Sequence, residues 1–107
     1  MSVPTVESTG DDLQFLAETD VRAAQLKRAV EAYDYLAKKQ KQIEFLAAEG
    51  SVAERTAVAE SSEAYDIARN KYFGAIEESL ALENERKTRT LRIDVWRSLN
   101  ANRRQGS

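Results

Sequence analysis

One stop-and-start signal constrains this chain more than any other feature: Glu49-Gly50-Ser51-Val52-Ala53-Glu54, close to the midpoint of 107 residues. Glycine suits the left-handed backbone that follows a helix end. Ser51 with Glu54 three positions later is a capping box, in which the serine side chain takes a free backbone N–H and opens the next helix. Two helices joined by so short a connection are antiparallel neighbours. Elsewhere punctuation is sparse. Pro4 is the single proline, and between Gly10 and Gly106 the only glycines are Gly50 and Gly74. From Leu13 to Glu49 the strong helix formers Ala, Leu, Lys, Gln and Glu predominate.

The pattern predicts an all-α fold. It is an antiparallel two-helix hairpin with helices at about 11–49 and 51–102, the second being the longer. Residues 1–10 carry Pro4, Gly10 and four Ser/Thr and read as a flexible lead-in, with Asp11 or Asp12 starting the helix. Residues 103–107 read as a frayed tail. Folded about Gly50, residue i faces roughly residue 100−i, which sets Arg86 level with Leu13–Gln14. Residues 90–104 then overhang the first helix unless the N-terminal ten fold back along them.

Leu26, Ala29, Tyr33, Leu36, Gln40, Ile43 and Ala47 recur at steps of three and four, one stripe of a helix, widened by Val30 and Ala37. Val58, Tyr65, Ala68, Tyr72, Phe73, Ile76 and Leu80 make a second stripe, with Gly74 inside it, where a glycine suggests close backbone approach or a bend. Leu26, Tyr33, Leu36, Ile43, Tyr65, Tyr72, Phe73, Ile76 and Leu80 are the expected oligomer seam. Tyr35, Phe45, Leu46, Ile67 and Leu82 lie off the stripes, more apolar surface than two helices bury by themselves. That points to self-association into a helical bundle or coiled-coil oligomer, most simply with two-fold symmetry. Glu83 to Thr90 is polar throughout, yet Glu83→Lys87 and Glu85→Arg89 are well-ordered i,i+4 ion pairs that favour a helix running through.

The net charge of −2 hides an asymmetry. Residues 1–85 hold nine basic and seventeen acidic residues; residues 86–107 hold seven basic residues and one acid, Asp94. A basic end on an acidic body suggests an anionic partner. Cations set against a helix C-terminal dipole are the plainer explanation. Arg89, Arg92, Trp96 and Arg103 sit at offsets of three, four and seven on one helical stripe, with Asn100 beside it. Arg86, Arg97 and Arg104 cluster on the face opposite Val95. These eight residues are the candidate partner-binding set. Guanidinium groups neutralise phosphates and an indole stacks on an unpaired base; Trp and Arg also dominate protein-interface hot spots. Alternatively Trp96 packs into the bundle while arginine stems cover apolar surface.

Several chemistries are not expected. The chain has no Cys and no His, so no disulfide framework, thiolate nucleophile or familiar metal-ligand spacing. Neither phosphate-cradling glycine loop is present. Eighteen carboxylates offer no selected acid/base pair. The expectation is a non-enzymatic protein with no cofactor, no metal and no small-molecule substrate. The opening MSVPTVESTGDD lacks an apolar signal region, and no stretch of ~20 apolar residues exists, so the default compartment is the cytoplasm and no membrane partner is expected.

The closing segment Leu91-Arg92-Ile93-Asp94-Val95-Trp96-Arg97-Ser98-Leu99-Asn100-Ala101-Asn102-Arg103-Arg104 resembles the C-terminus of small helical-hairpin proteins of tailed bacteriophages, from early or DNA-metabolism gene blocks. The resemblance covers about the last twenty residues and carries no assigned chemistry. It implies a phage-type accessory factor in the host bacterial cytoplasm. Its basic, Trp-bearing helix would dock on single-stranded nucleic acid or on an acidic protein partner. The other reading is a structural or regulatory adaptor, or an inhibitor of a host enzyme, acting only through protein–protein contacts.

Overall fold

A computed structural model describes the backbone of residues 3–106 and the side chains of residues 3–104. Among the described residues the only regular structure is helical: α1 spans Val6–Ala47, α2 Val52–Ser61 and α3 Glu63–Gly106.

Helix α1 begins five residues before Asp11 because Thr5-Val6-Glu7-Ser8 caps it. The Ser8 N–H donates to Thr5 Oγ1 at 3.1 Å and the Thr5 N–H to Ser8 Oγ at 2.8 Å, two otherwise orphaned donors satisfied reciprocally. Residues 6–10 are therefore helical rather than a loose lead-in, Gly10 included; Met1 and Ser2 lie outside the described residues. At the other end α3 continues to Gly106, past the expected helix limit of residue 102, and Ser107 lies outside the described residues.

The turn forms where the stop-and-start signal stands. Gly50 takes φ +113°, a backbone region that a Cβ disfavours. Ser51 Oγ accepts the Glu54 N–H at 3.2 Å and its hydroxyl meets Glu54 Oε1 at 3.1 Å. Arg55 ties the far side back to α1: its Nε donates to the Phe45 carbonyl at 3.2 Å and its guanidinium lies 4.3 Å from the centre of the Phe45 ring.

The expected second helix of residues 51–102 is two helices. Ser62 stands in extended backbone between them (φ −69°, ψ 144°). Its N–H and hydroxyl both donate to the Ala59 carbonyl, at 3.3 and 2.9 Å, and its Oγ accepts the Tyr65 N–H at 3.2 Å. One serine thus closes α2 and opens α3. Beyond it α3 runs unbroken through residues 83–90. Ion pairs Glu83–Lys87 (3.4 Å) and Glu85–Arg89 (3.2 Å) brace that polar stretch. Thr88 and Thr90 turn their hydroxyls onto the carbonyls of Asn84 and Arg86 at 3.0 and 2.9 Å, so neither competes for an N–H.

The chain divides into two compact units, one made of residues 25–79 and the other of residues 1–24 with 80–107. In the first, the end of α1 lies antiparallel to α2 and the start of α3, as the Lys41–Glu60 ion pair at 3.0 Å records. Its buried apolar residues are Leu26, Ala37, Ala59 and Ala75. Three of those four are methyl side chains, which let helix backbones approach closely. The residues expected at the oligomer seam fall on both sides of this line. Leu26 is buried, and Tyr65, Tyr72 and Ile76 are half-buried; Tyr33, Leu36, Ile43, Phe73 and Leu80 are exposed. Gly74 admits no close neighbour, since a Cβ there would meet nothing within 4 Å.

In the second unit residues 6–24 of α1 run antiparallel to residues 80–106 of α3. Its buried residues are Thr9, Asp12 and Ile93. Leu91, Val95 and Leu99 are exposed, whereas Arg89, Arg92, Ile93, Trp96 and Asn100 are buried or half-buried.

Candidate functional site

Asp12 is the centre of the second unit. On α1 it follows Thr9 by three residues and precedes Phe15 and Leu16 by three and four, so all four share a face. Its side chain is only 1% exposed, where an unpaired carboxylate would be strongly disfavoured. Two arginines of α3 compensate it. Arg89 Nη1 donates to Oδ1 at 3.0 Å; Arg92 grips both oxygens, with Nε on Oδ2 at 3.0 Å and Nη2 on Oδ1. The Arg92 hydrogen bonds, with those of Arg89 behind them, hold the Asp12 carboxyl below the ordinary carboxylate value although burial by itself would raise it. Asp12 and then Glu85 in turn hold Arg89 more firmly charged than usual. Arg89 also lies 4.5 Å from the centre of the Phe15 ring, a cation–π contact. The Thr9 hydroxyl, buried on the same face, has no hydrogen-bond partner among the described residues.

Arg86 closes the next turn: its Nη1 donates to the Leu16 carbonyl at 2.8 Å and to Thr19 Oγ1 at 2.7 Å, and Nη2 reaches Asp20 at 3.3 Å. Arg86, Arg89 and Arg92, three of the eight residues assigned from the sequence to partner binding, are thus engaged by α1. Trp96 and Asn100 are half-buried on the same side. Arg97 and Arg104 are exposed, Arg97 lying 3.9 Å from Asp94. Arg103 is exposed and forms no ion pair among the described residues. The reason is electrostatic. Residues 80–107 hold seven basic and three acidic residues, while residues 1–24 hold one basic and five acidic, so the two segments of this unit cancel. The excess of cations is legible from the count alone; their neutralisation by Asp12 and Asp20, which leaves no free arm of Arg86, Arg89 and Arg92, is not. In the sequence Asp12 reads as a helix-starting residue, and only its phase with Thr9 and Thr19 marks it as inward-facing.

At the end of this unit a cavity of about 300 Å³ is bounded by Val3, Pro4, Thr5 and Val6 on one side and by Trp96, Leu99, Asn100 and Arg103 on the other. Residues 3–6 cover the stretch of α3 that would otherwise overhang.

The first unit has a different surface. A groove of about 400 Å³ runs over Tyr33, Leu36, Ile43, Ala64, Ile67 and Ala68, edged by Lys39, Gln40 and Lys71. A second hollow of about 430 Å³, over Gln25, Arg28, Ala29 and Ala32, shares Tyr33 and Leu36 with it. Tyr33 is 37% exposed, Leu36 and Ile43 48% and Ile67 51%. Arg69 bridges the rings of Tyr65 and Phe73 at 5.5 and 5.3 Å nearby.

Among the described residues no group of three Asp or Glu side chains is placed to hold a metal ion, and no helix is long and apolar enough to cross a membrane. Neither family models, nor curated proteins, nor solved structures contain a match to this chain.

Proposed function

We propose that this chain is a non-enzymatic binding protein that works through helix–helix contacts, its apolar stripe on residues 25–79 packing against the same stripe of a second copy. The observation that carries this reading is the division of labour between two faces. Methyl groups at Ala37, Ala59 and Ala75 close the intramolecular seam, while Tyr33, Leu36, Ile43 and Ile67 stand outside it. Each of those four retains roughly 1 kcal/mol of burial still to gain. Two-fold pairing counts every such residue twice, which suits an isologous dimer. The reading keeps the setting implied by the resemblance of the last twenty residues, a bacteriophage accessory protein in the host cytoplasm acting as a structural or regulatory adaptor.

Leu36→Asp combined with Ile67→Asp tests it. Both positions are exposed in the single chain, so helicity should be retained while a dimer in light scattering becomes a monomer. The parent should also melt at a temperature that falls on about a hundredfold dilution. A parent that is monomeric, with a dilution-independent midpoint, overturns the proposal.

A further inference from the structure

We propose that the cavity between residues 3–6 and α3 is a site for one nucleotide unit, its base laid on Trp96 and its phosphate on Arg103. This rests on the second unit alone and is independent of self-association. The cavity has three kinds of wall. Val3, Pro4, Val6 and Leu99 are apolar, and the Trp96 indole adds a flat face of the kind on which bases stack. Asn100, four residues after Trp96, carries a side-chain amide with both donor and acceptor, the pair that a base edge requires. Arg103 is three residues further, on the same face of the helix.

Among the described residues of this unit, Arg103 is the cation to which the structure gives no internal work. Arg86, Arg89 and Arg92 are held by α1, whereas Arg103 lines the cavity and makes no ion pair among the described residues. About 300 Å³ accommodates one base with part of its sugar. The combination selects against other anions. A duplex has no unstacked base to offer, and an acidic peptide without aromatic side chains has no ring to lay on the indole. Because the charges of this unit cancel, long-range steering is absent and the interaction should be local and weak.

Trp96 is the single tryptophan, so its fluorescence reports on this cavity directly. The full chain is titrated with a thymidine oligonucleotide, thymidine monophosphate, inorganic phosphate and a DNA duplex. Saturable quenching is expected with the first two and not with the last two. Tighter binding of the oligonucleotide would identify a strand as the source of the nucleotide, and equal binding a free nucleotide. One phosphate contact predicts a log–log salt slope of about −0.7. Arg103→Gln should weaken binding roughly tenfold and leave the melting temperature unchanged, because Arg103 holds nothing else in place. The proposal fails if no saturable change appears up to millimolar nucleotide or if Arg103→Gln titrates like the parent. It also fails if phosphate alone gives the same signal, or if a salt slope of several shows that a diffuse cationic surface is responsible.

Discussion

Replacing Asp12 by Asn removes one charge and hardly changes shape, so it isolates the ionic cluster that joins α1 to α3. In the parent the carboxylate accepts three hydrogen bonds from two guanidiniums. Breaking a fully buried pair by removing one partner costs about 3–5 kcal/mol. Here the carboxylate is buried but the side chains of Arg89 and Arg92 are 26% and 31% exposed, so they can turn partly to water. That brings the expected loss to roughly 2–3 kcal/mol. For a chain of this size such a loss lowers the melting temperature by about 10 °C. Thermal unfolding followed by circular dichroism at one fixed concentration measures it. The pH dependence supplies a second check. The folded pKa of Asp12 lies below its ordinary value of 3.8, so its contribution is complete above that pH and is lost as the pH falls through the lower folded value. The gap between parent and variant should therefore be full at neutral pH and shrink below pH 3.8. A gap under about 3 °C at neutral pH, or one unchanged down to about pH 2, would refute the assignment of Asp12 as the ionic anchor of this unit.

Other substitutions test other parts of the fold. Gly74→Ala should raise stability by about 0.5–1 kcal/mol in thermal or urea unfolding, because a helical glycine is replaced where the new methyl meets nothing. Gly50→Ala should lower it by about 1 kcal/mol or more, since the residue would be held at φ +113° with its Cβ 2.6 Å from Glu54 Oε2; an unchanged midpoint would mean the turn tolerates another geometry. Thr9→Val removes a buried, unpartnered hydroxyl at nearly constant volume and should be neutral or stabilising by up to about 1 kcal/mol; a clear loss would show that the hydroxyl has a partner in solution. Ser62→Ala deletes the acceptor for the Tyr65 N–H and should cost about 1 kcal/mol, read as a lower urea midpoint.

Local chemistry made much of this molecule readable in advance. Gly50, Ser51 and Glu54 announced the reversal because a left-handed glycine and a capping serine need only their immediate neighbours. The ion pairs at Glu83 and Glu85 likewise foretold an unbroken helix through a polar stretch. The caps at Thr5 and Ser62 were written in the same language but were missed, because neither is followed by the Glu or Gln that completes the familiar box. Serine does that work after Thr5, and a lone serine hydroxyl after Ala59.

What the residues could not disclose was the rotation of each helix about its own axis. Hydrophobic periodicity found a Tyr33–Leu36–Ile43 stripe, but not the line that closes the hairpin within one chain, where large apolar side chains would be the first guess. The seam instead formed over Ala37, Ala59 and Ala75, since close approach of two helices favours the smallest groups. In the same way the chain alone determined that its last quarter is rich in arginine. Only the tertiary structure decided that Asp12, some eighty positions away in sequence, would sit between Arg89 and Arg92, leaving Arg103 as the cation beside Trp96 without an internal partner. Caps and turns act over three or four residues and so are carried by the sequence. Charge pairing and face selection act across space, and a one-residue change in phase or register reassigns them all.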